Sequence, residues 1–326
     1  MSLSAIILAA GKSTRMKSKR PKPLLDVCGR PMLAWILDAC WEAGVTRAMV
    51  VVGYGKDEVI ARFVDDKRIV FVEQTEQLGT GHAARMCESH LKDLAGDVFI
   101  LAGDTPLVRG QVLRTLRDAH RTDRAAASMA TAVIDDPYGY GRVVRDEAGE
   151  FVEIIEQIDC TPEQAAIREV FPSFYCVQVD SLLWALERLT NNNRKREYYL
   201  TDIYALLRKD DRKVTAARVL TAEDIVAPNT RQQLADADAV MQARIQRNLL
   251  ENGVSIVSCD QTYIEAGVSI GPDTVIHPFT FIGRGSTIGA DCAIGPFASL
   301  PPQSIVPEGT VVSGNISPET TRLEIP

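Results

Sequence analysis

From Ile264 to Val312 the chain carries an aliphatic residue at every sixth position: Ile264, Ile270, Ile276, Ile282, Ile288, Ile294, Leu300, Val306 and Val312. Four positions after each of the first eight stands a small or short residue, from Val268 and Thr274 through Ser304 and Thr310. Glycine follows the aliphatic position at 271, 283, 289 and 295. A period of six cannot stay on one face of an α-helix, which turns every 3.6 residues. It suits a left-handed parallel β-helix, where three six-residue sides close a triangular coil and each points one aliphatic chain inward. The span 264–312 supplies almost three such coils.

The preceding residues follow another rule. "SAIILAA" (4–10), "RAMVVVG" (47–53), "RIVFVEQ" (68–74) and "DVFILAGD" (97–104) are short apolar runs rich in Val, Ile and Leu. Continuous apolar strands of this kind belong in a parallel sheet covered on both faces. Helical patterns at 31–43, 56–65, 80–94 and 110–121 alternate with them. The chain is therefore expected to be α/β, with a doubly wound, Rossmann-like, mostly parallel sheet followed by a short left-handed parallel β-helix. Residues 230–251 read as one long helix that stops at Asn252-Gly253. The expected domains are 1–229, a linking helix at 230–252, and the hexapeptide repeats at 253–326.

Composition narrows the function. With 46% hydrophobic and 24% charged residues the chain is ordinary for a soluble globular protein. A net charge of −7 argues against general nucleic-acid binding. Seven scattered cysteines without a Cys-x-x-Cys pair, and four isolated histidines, disfavour both a disulfide framework and a transition-metal site. The apolar run at 5–10 is too short for a signal peptide, and no run approaches the ~18 apolar residues of a membrane span. A cytoplasmic protein without membrane or nucleic-acid partners is expected.

In open α/β sheets ligands bind outside the carboxyl ends of the strands. Gly11, "EQLGTG" (76–81) and "GDTP" (103–106) all fall at such ends. The "GKST" of residues 11–14 is no P-loop, because that motif needs glycine at position 6 and Ile6 is there. The dinucleotide fingerprint fails as well, at Ser13 and Met16. What remains is a glycine-turned loop followed by cations, where Gly11 admits close approach and Arg15 and Lys22 suit phosphate oxygens. A solvated basic loop has the same composition.

"LAAGKSTRM" with "RPKPL", "EQLGTGHA" (76–83), "LAGDTPL" (101–107), "DDPYGYGR" (135–142) and "EYYLTD" (197–202) form an ordered set. Together they resemble the sugar-1-phosphate nucleotidyltransferases over roughly residues 3–250. With the hexapeptide tail the chain resembles the uridylyltransferase half of the bacterial bifunctional N-acetylglucosamine-1-phosphate uridylyltransferase/glucosamine-1-phosphate acetyltransferases. The resemblance implies a Mg²⁺-dependent transfer of uridylyl from UTP to a sugar-1-phosphate, N-acetylglucosamine-1-phosphate above others. It implies Leu8, Ala9, Ala10, Gly11, Lys22, Gln74, Gly79, Thr80 and Gly103 as nucleotide contacts. It implies Arg15, Lys22 and Asp104 as the catalytic residues: the two cations, with Mg²⁺ on Asp104, would supply the charge neutralisation that in-line phosphoryl transfer needs. Asp104 and Asn229 match metal ligands; Gly141, Glu156, Asn229 and the position of Phe171 match the sugar side.

Other roles stand beside these. Asp104 and Asn229 also suit helix caps or turns, Glu156 a solvent-facing strand position, and His82 a structural contact. Ser13 replaces a glycine of the signature, a mild change if its φ is negative. Ala102 stands where a tyrosine is common, and Phe171 where the resemblance implies an amide contact to an N-acetyl group. Other nucleotide and sugar-phosphate pairs, or an idle nucleotide-binding regulatory or assembly subunit, are the alternatives. The repeats contain one histidine, His277, and stop short of the relatives' later coils, so no acetyltransferase activity is expected. The prism is expected to pack as a homotrimer.

Overall fold

A computed structural model of the chain describes residues 2–314. The chain falls into two compact units, one from residues up to 25 and from 32 to 230, the other from 26–31 and from 231 onward. Along the chain come β1 (Ser2–Leu8), a short hairpin of β2 (Asp26–Val27) and β3 (Arg30–Pro31), α1 (Met32–Glu42), β4 (Arg47–Val52), α2 (Lys56–Phe63), β5 (Ile69–Glu73), α3 (Thr80–Arg85) and α4 (Glu88–Leu91). Then follow β6 (Gly96–Ala102), α5 (Gly110–Thr122), β7 (Ala127–Val133), β8 (Gly141–Arg145), β9 (Phe151–Ile155) and α6 (Pro162–Ala165). The series closes with β10 (Glu169–Gln178), α7 (Val179–Arg188), α8 (Asp202–Lys209), β11 (Val214–Leu220) and α9 (Arg231–Glu251).

The first unit is built on one sheet of order β11-β7-β10-β6-β1-β4-β5, with β8 and β9 pairing outward from β10. β1 runs parallel to β4 and β6, and β4 to β5. β10 is antiparallel to both β6 and β7. Because side chains alternate across a strand, neighbouring residues serve opposite faces. Ile7 packs with Leu33, Ile36, Leu113 and Leu116 of α1 and α5. Ile6 packs on the other side with Ala83, Ala84, Leu182 and Leu186 of α3 and α7. This double cover explains why β1 reads as an unbroken apolar run. The helix expected over 80–94 is divided: Cys87 N–H bonds Ala84 O, three residues back, and the tightened turn separates α3 from α4.

In the second unit the six-residue period becomes three stacks of short parallel strands. Ile264 pairs with Ile282 and then Leu300; Ile270 with Ile288 and Val306; Ile276 with Ile294 and Val312. None of these nine side chains is more than 8% exposed. The short residues of the repeat have a separate task. The hydroxyls of Thr280, Ser286, Ser304 and Thr310 each donate to the carbonyl three residues back, at 2.7 Å. Each bond satisfies a buried polar group where the chain turns a corner. The arrangement is compatible with a β-helix.

Helix α9 packs on the first coil through Gln242, whose Nε2 donates to Ile264 O at 2.6 Å while its Oε1 accepts from Ile264 N at 3.1 Å. The β2–β3 hairpin joins the same unit: Cys28 N donates to Asp238 Oδ1 at 2.7 Å, and Ala266 N to Cys28 O at 2.9 Å. All seven cysteines are free. Among the described residues no helix is long and apolar enough to cross a membrane.

Candidate active site

A cavity of about 330 Å³ opens at the carboxyl ends of β1, β5 and β6. Its floor is the backbone of Leu8, Ala9, Ala10 and Gly11, and its sides include Gln74, Gly79, Thr80, Gly103 and Asp104. Close backbone packing shapes this floor. A Cβ on Gly103 would lie 2.9 Å from Leu8 O, and one on Gly53 2.8 Å from Ala10 O, so both strands flanking β1 must end in glycine. A Cβ on Gly11 would meet nothing within 4 Å, so the turn faces open space.

At one end stands Gln74, 5% exposed at the end of β5. Its Nε2 donates to Gly79 O at 3.2 Å and to His82 Nδ1 at 3.0 Å, which fixes the amide and makes His82 its holder. Gln77, which the motif reading passed over, donates through Nε2 to Ala10 O at 2.8 Å and ties the loop to the floor. The loop is also closed by the "EYYLTD" segment. Gly81 N donates to Tyr198 O, Tyr198 N to Leu78 O, both at 2.8 Å, and Leu200 N to Thr80 Oγ1 at 3.1 Å. Gly79 lies at φ +106°, and a Cβ there would come within 2.6 Å of Tyr198 O.

At the other end four of the expected residues meet. Lys22 is buried, and its ammonium donates to Asp104 Oδ2 and, at 3.1 Å, to Asn229 Oδ1. Arg15 Nη2 donates to the same Asn229 oxygen at 3.0 Å. Asn229 Nδ2 donates to Ala227 O at 3.1 Å, which holds Oδ1 toward the cations. Among the described residues no three His, Cys, Asp or Glu side chains are grouped to hold a metal alone. Two hard oxygens, Asp104 Oδ2 and Asn229 Oδ1, converge on one point. That donor set fits Mg²⁺, which takes few protein oxygens and completes its shell from phosphate and water.

The sugar-side residues are distributed differently. Glu156 lines a second cavity of about 440 Å³ together with Asp159, Tyr199, Thr201, Asp202 and Tyr204. Burial pushes the Glu156 and Asp202 carboxyls above the usual carboxylate range. A Cβ on Gly141 would stand 2.8 Å from Ile154 Cγ2 and 3.9 Å from Glu156 Oε1, so Gly141 borders this space. Phe171 lines neither cavity. It is 4% exposed and meets the rings of Tyr175 and Tyr204 edge-on, at 4.9 and 5.7 Å, while those two stack on each other at 5.5 Å. Tyr175 lines the first cavity and Tyr204 the second, so the stacked pair joins a wall of each.

Two serines on the first cavity have left-handed backbone, one of them against expectation. Ser13 has φ +48°, in the left-handed region, where a negative angle was the condition for a mild replacement. Ser173 has φ +69° at the bulge in β10, between Val170 and Phe174. Both line the cavity. Side chains in this region cost ~1–2 kcal/mol relative to glycine, and such strain persists where surrounding contacts impose it. Ser13 and Glu197 fall within quoted motifs, "GKST" and "EYYLTD"; Ser173 and Tyr175 carried no such signal and reach the cavity through the bulge in β10.

The MobA-like NTP transferase domain family matches residues 5–232. A protein of Pelobacter propionicus described as "Bifunctional protein GlmU" is 44% identical over 276 residues, covering 85% of this chain and 60% of the relative. One of Caldanaerobacter subterraneus subsp. tengcongensis with the same description is 43% identical, covering 86% of this chain and 60% of the relative. The chain thus spans about 60% of the length of these curated relatives. A solved UDP-glucose pyrophosphorylase complexed with UDP-glucose superposes with TM-score 0.62 at 18% identity, over 75% of this chain and all of that one. A putative glucose-1-phosphate thymidylyltransferase from Bacillus anthracis does so with TM-score 0.62 at 18% identity, over 73% of this chain and 95% of its own. By the family match over residues 5–232 and the identity to its relatives, the chain belongs to the MobA-like NTP transferase domain family.

Proposed function

We propose that the chain transfers the uridylyl group of UTP to a sugar-1-phosphate, giving a UDP-sugar and pyrophosphate, with Mg²⁺ as cofactor. The observation that carries this reading is the meeting of Lys22, Arg15, Asp104 and Asn229 at the mouth of a backbone-floored cavity. Gln74 is anchored through both protons of Nε2, so its Oε1 is the group offered to the base, an acceptor for the N3–H of uracil. The floor of Leu8–Gly11 carries the nucleoside, and Lys22 and Arg15 carry phosphate charge.

An oxygen of the sugar phosphate attacks the α-phosphorus, the bond to the β-phosphate bridge breaks, and pyrophosphate leaves with that electron pair. Both reactants are anions, so alignment and charge neutralisation supply the acceleration. Asp104 and Asn229 would hold Mg²⁺, which would supply positive charge to the phosphates. Glu156, with Thr201 and Asp202 on the second cavity, accepts from sugar hydroxyls. The resemblance favours N-acetylglucosamine-1-phosphate as acceptor. A second reading, another hexose phosphate, draws on Phe171, whose ring is committed to Tyr175 and Tyr204 and offers no amide to an acetamido group.

For the second unit we propose a left-handed β-helix that assembles as a homotrimer in a cytoplasmic protein; light scattering that finds a monomer removes the trimer. The catalytic reading is tested by pyrophosphate release over a matrix of nucleoside triphosphates and sugar-1-phosphates, with and without Mg²⁺. UTP with one sugar-1-phosphate should react, and Asp104→Asn should lower kcat by ~10³-fold with an unchanged circular-dichroism spectrum. Near-normal turnover in that variant removes Asp104 from the metal site, and no pyrophosphate from any pair removes the activity.

A further inference from the structure

Both oxygens that the proposed function gives to a divalent cation are already in use by the protein's own cations. The Lys22 ammonium bridges Asp104 Oδ2 and Asn229 Oδ1, and the Arg15 guanidinium takes the same Asn229 oxygen. This is a built arrangement. Lys22 is 6% exposed, and its backbone is fixed in a 3-10 turn over Lys22–Leu24, with Leu24 N bonded to Pro21 O and Leu25 N to Lys22 O. Asn229 cannot turn its oxygen away without giving up the Nδ2 bond to Ala227 O. Within this cluster one carboxylate faces two cations, so a bare divalent ion would add like charge and would have to evict the ammonium from both its acceptors.

We infer that Lys22 acts as a placeholder for the metal: in the nucleotide-free protein its ammonium closes the site, and a divalent cation binds only together with the nucleotide. This rests on the nucleotidyltransferase reading above. The triphosphate brings several negative charges and new acceptors for Lys22 and Arg15. Once their side chains bond phosphate, Asp104 Oδ2 and Asn229 Oδ1 are released to the metal. Only the side chains of Lys22 and Arg15 need to move. Metal and nucleotide are then positively coupled, and by linkage each tightens the other by the same factor. The device keeps the site from filling with free cation and makes the metal–nucleotide complex the species that enters.

The test uses the full chain and Mn²⁺ as a spectroscopic substitute, with free Mn²⁺ followed by electron paramagnetic resonance and UTP binding by calorimetry in chelator. Wild type should bind UTP without metal, and should bind Mn²⁺ alone ~100-fold more weakly than in the presence of UTP, after correction for Mn²⁺ held by UTP in solution. Lys22→Met, which keeps the length and removes the charge, should bind Mn²⁺ without nucleotide, and Asp104→Asn should abolish that binding. Wild type that binds one Mn²⁺ alone as tightly as with UTP, at a site lost in Asp104→Asn, overturns the inference without any Lys22 variant. A folded Lys22→Met protein that still excludes Mn²⁺ overturns the role of Lys22, and Lys22→Gln repeats the measurement should the methionine variant not fold. Wild type that binds no UTP overturns the proposed function instead, and the inference with it.

Discussion

At Ser13 the backbone takes a conformation that glycine adopts freely and other residues adopt at a cost. The loop holds it there between the β1 floor and the 3-10 turn Thr14–Met16, whose Met16 N bonds Ser13 O at 3.1 Å. The cost depends on branching at Cβ, because a branched side chain crowds the carbonyl in the left-handed region. Ser13→Gly should therefore leave the KM for UTP within about twofold, while Ser13→Val should raise it ~10-fold or more, a strain of ~2 kcal/mol paid in loop geometry. Equal KM values for the two variants would show that the loop rearranges on binding. Phe171 illustrates the opposite situation. The resemblance puts its position on the sugar side; its surroundings set its ring edge-on against Tyr175 and Tyr204.

At the scale of elements, β10 is the strand that carries the cavity wall, and its first residue ties four strands together. Glu169, 6% exposed, accepts from Arg145 of β8 at 2.6 and 2.8 Å, Arg218 of β11 at 2.8 Å and Thr131 of β7 at 2.7 Å. Burial pushes this carboxyl up, but the hydrogen bonds from Arg145, Arg218 and Thr131 outweigh it and hold the group down at about 2. A depressed carboxyl stabilises the fold fully above the ordinary glutamate value of about 4.3 and loses that contribution as pH falls through about 2. The contribution is ~3 kcal/mol. Glu169→Gln should cost about that much in urea unfolding at pH 7, and the difference from wild type should shrink between pH 4 and pH 2. A difference that persists at pH 2 would place the loss in packing. The helices show how local bonds settle boundaries: α3 and α4 part at one tightened turn that apolar spacing does not encode.

For the whole molecule the two units obey different periods and are stabilised by different contacts. The first is a covered sheet with separate cores on its two faces; the second is a column of aliphatic side chains from Ile264 to Val312. Ile282 is fully buried in the middle of that column. Ile282→Ala should lower the stability of the second unit by ~2–5 kcal/mol. Amide hydrogen exchange should then speed up over 255–312 and stay unchanged in β1, whose amides lie in the first unit. Equal acceleration in β1 would mean that the two units open as one.

Much of this was legible in the chain itself. The period of six fixed which residues of the tail turn inward, because an inward position recurs with the geometry of the coil whatever surrounds it. Apolar runs ending near glycine or a polar residue located the strands β1, β4, β5 and β6 and the edge where a ligand belongs, since covered parallel strands must be apolar throughout and loops must turn at their ends. The tertiary structure alone decided what depends on chain segments far apart in sequence. It put the Lys22 ammonium on both Asp104 and Asn229, which the resemblance pairs as metal ligands, gave Ser173 its left-handed backbone through a register shift in β10, drew the hairpin 26–31 into the second unit, and packed Phe171 against Tyr175 and Tyr204. Local propensity and periodicity carry no information about which distant acceptor an ammonium will meet; that follows from packing, and packing is a property of the folded chain.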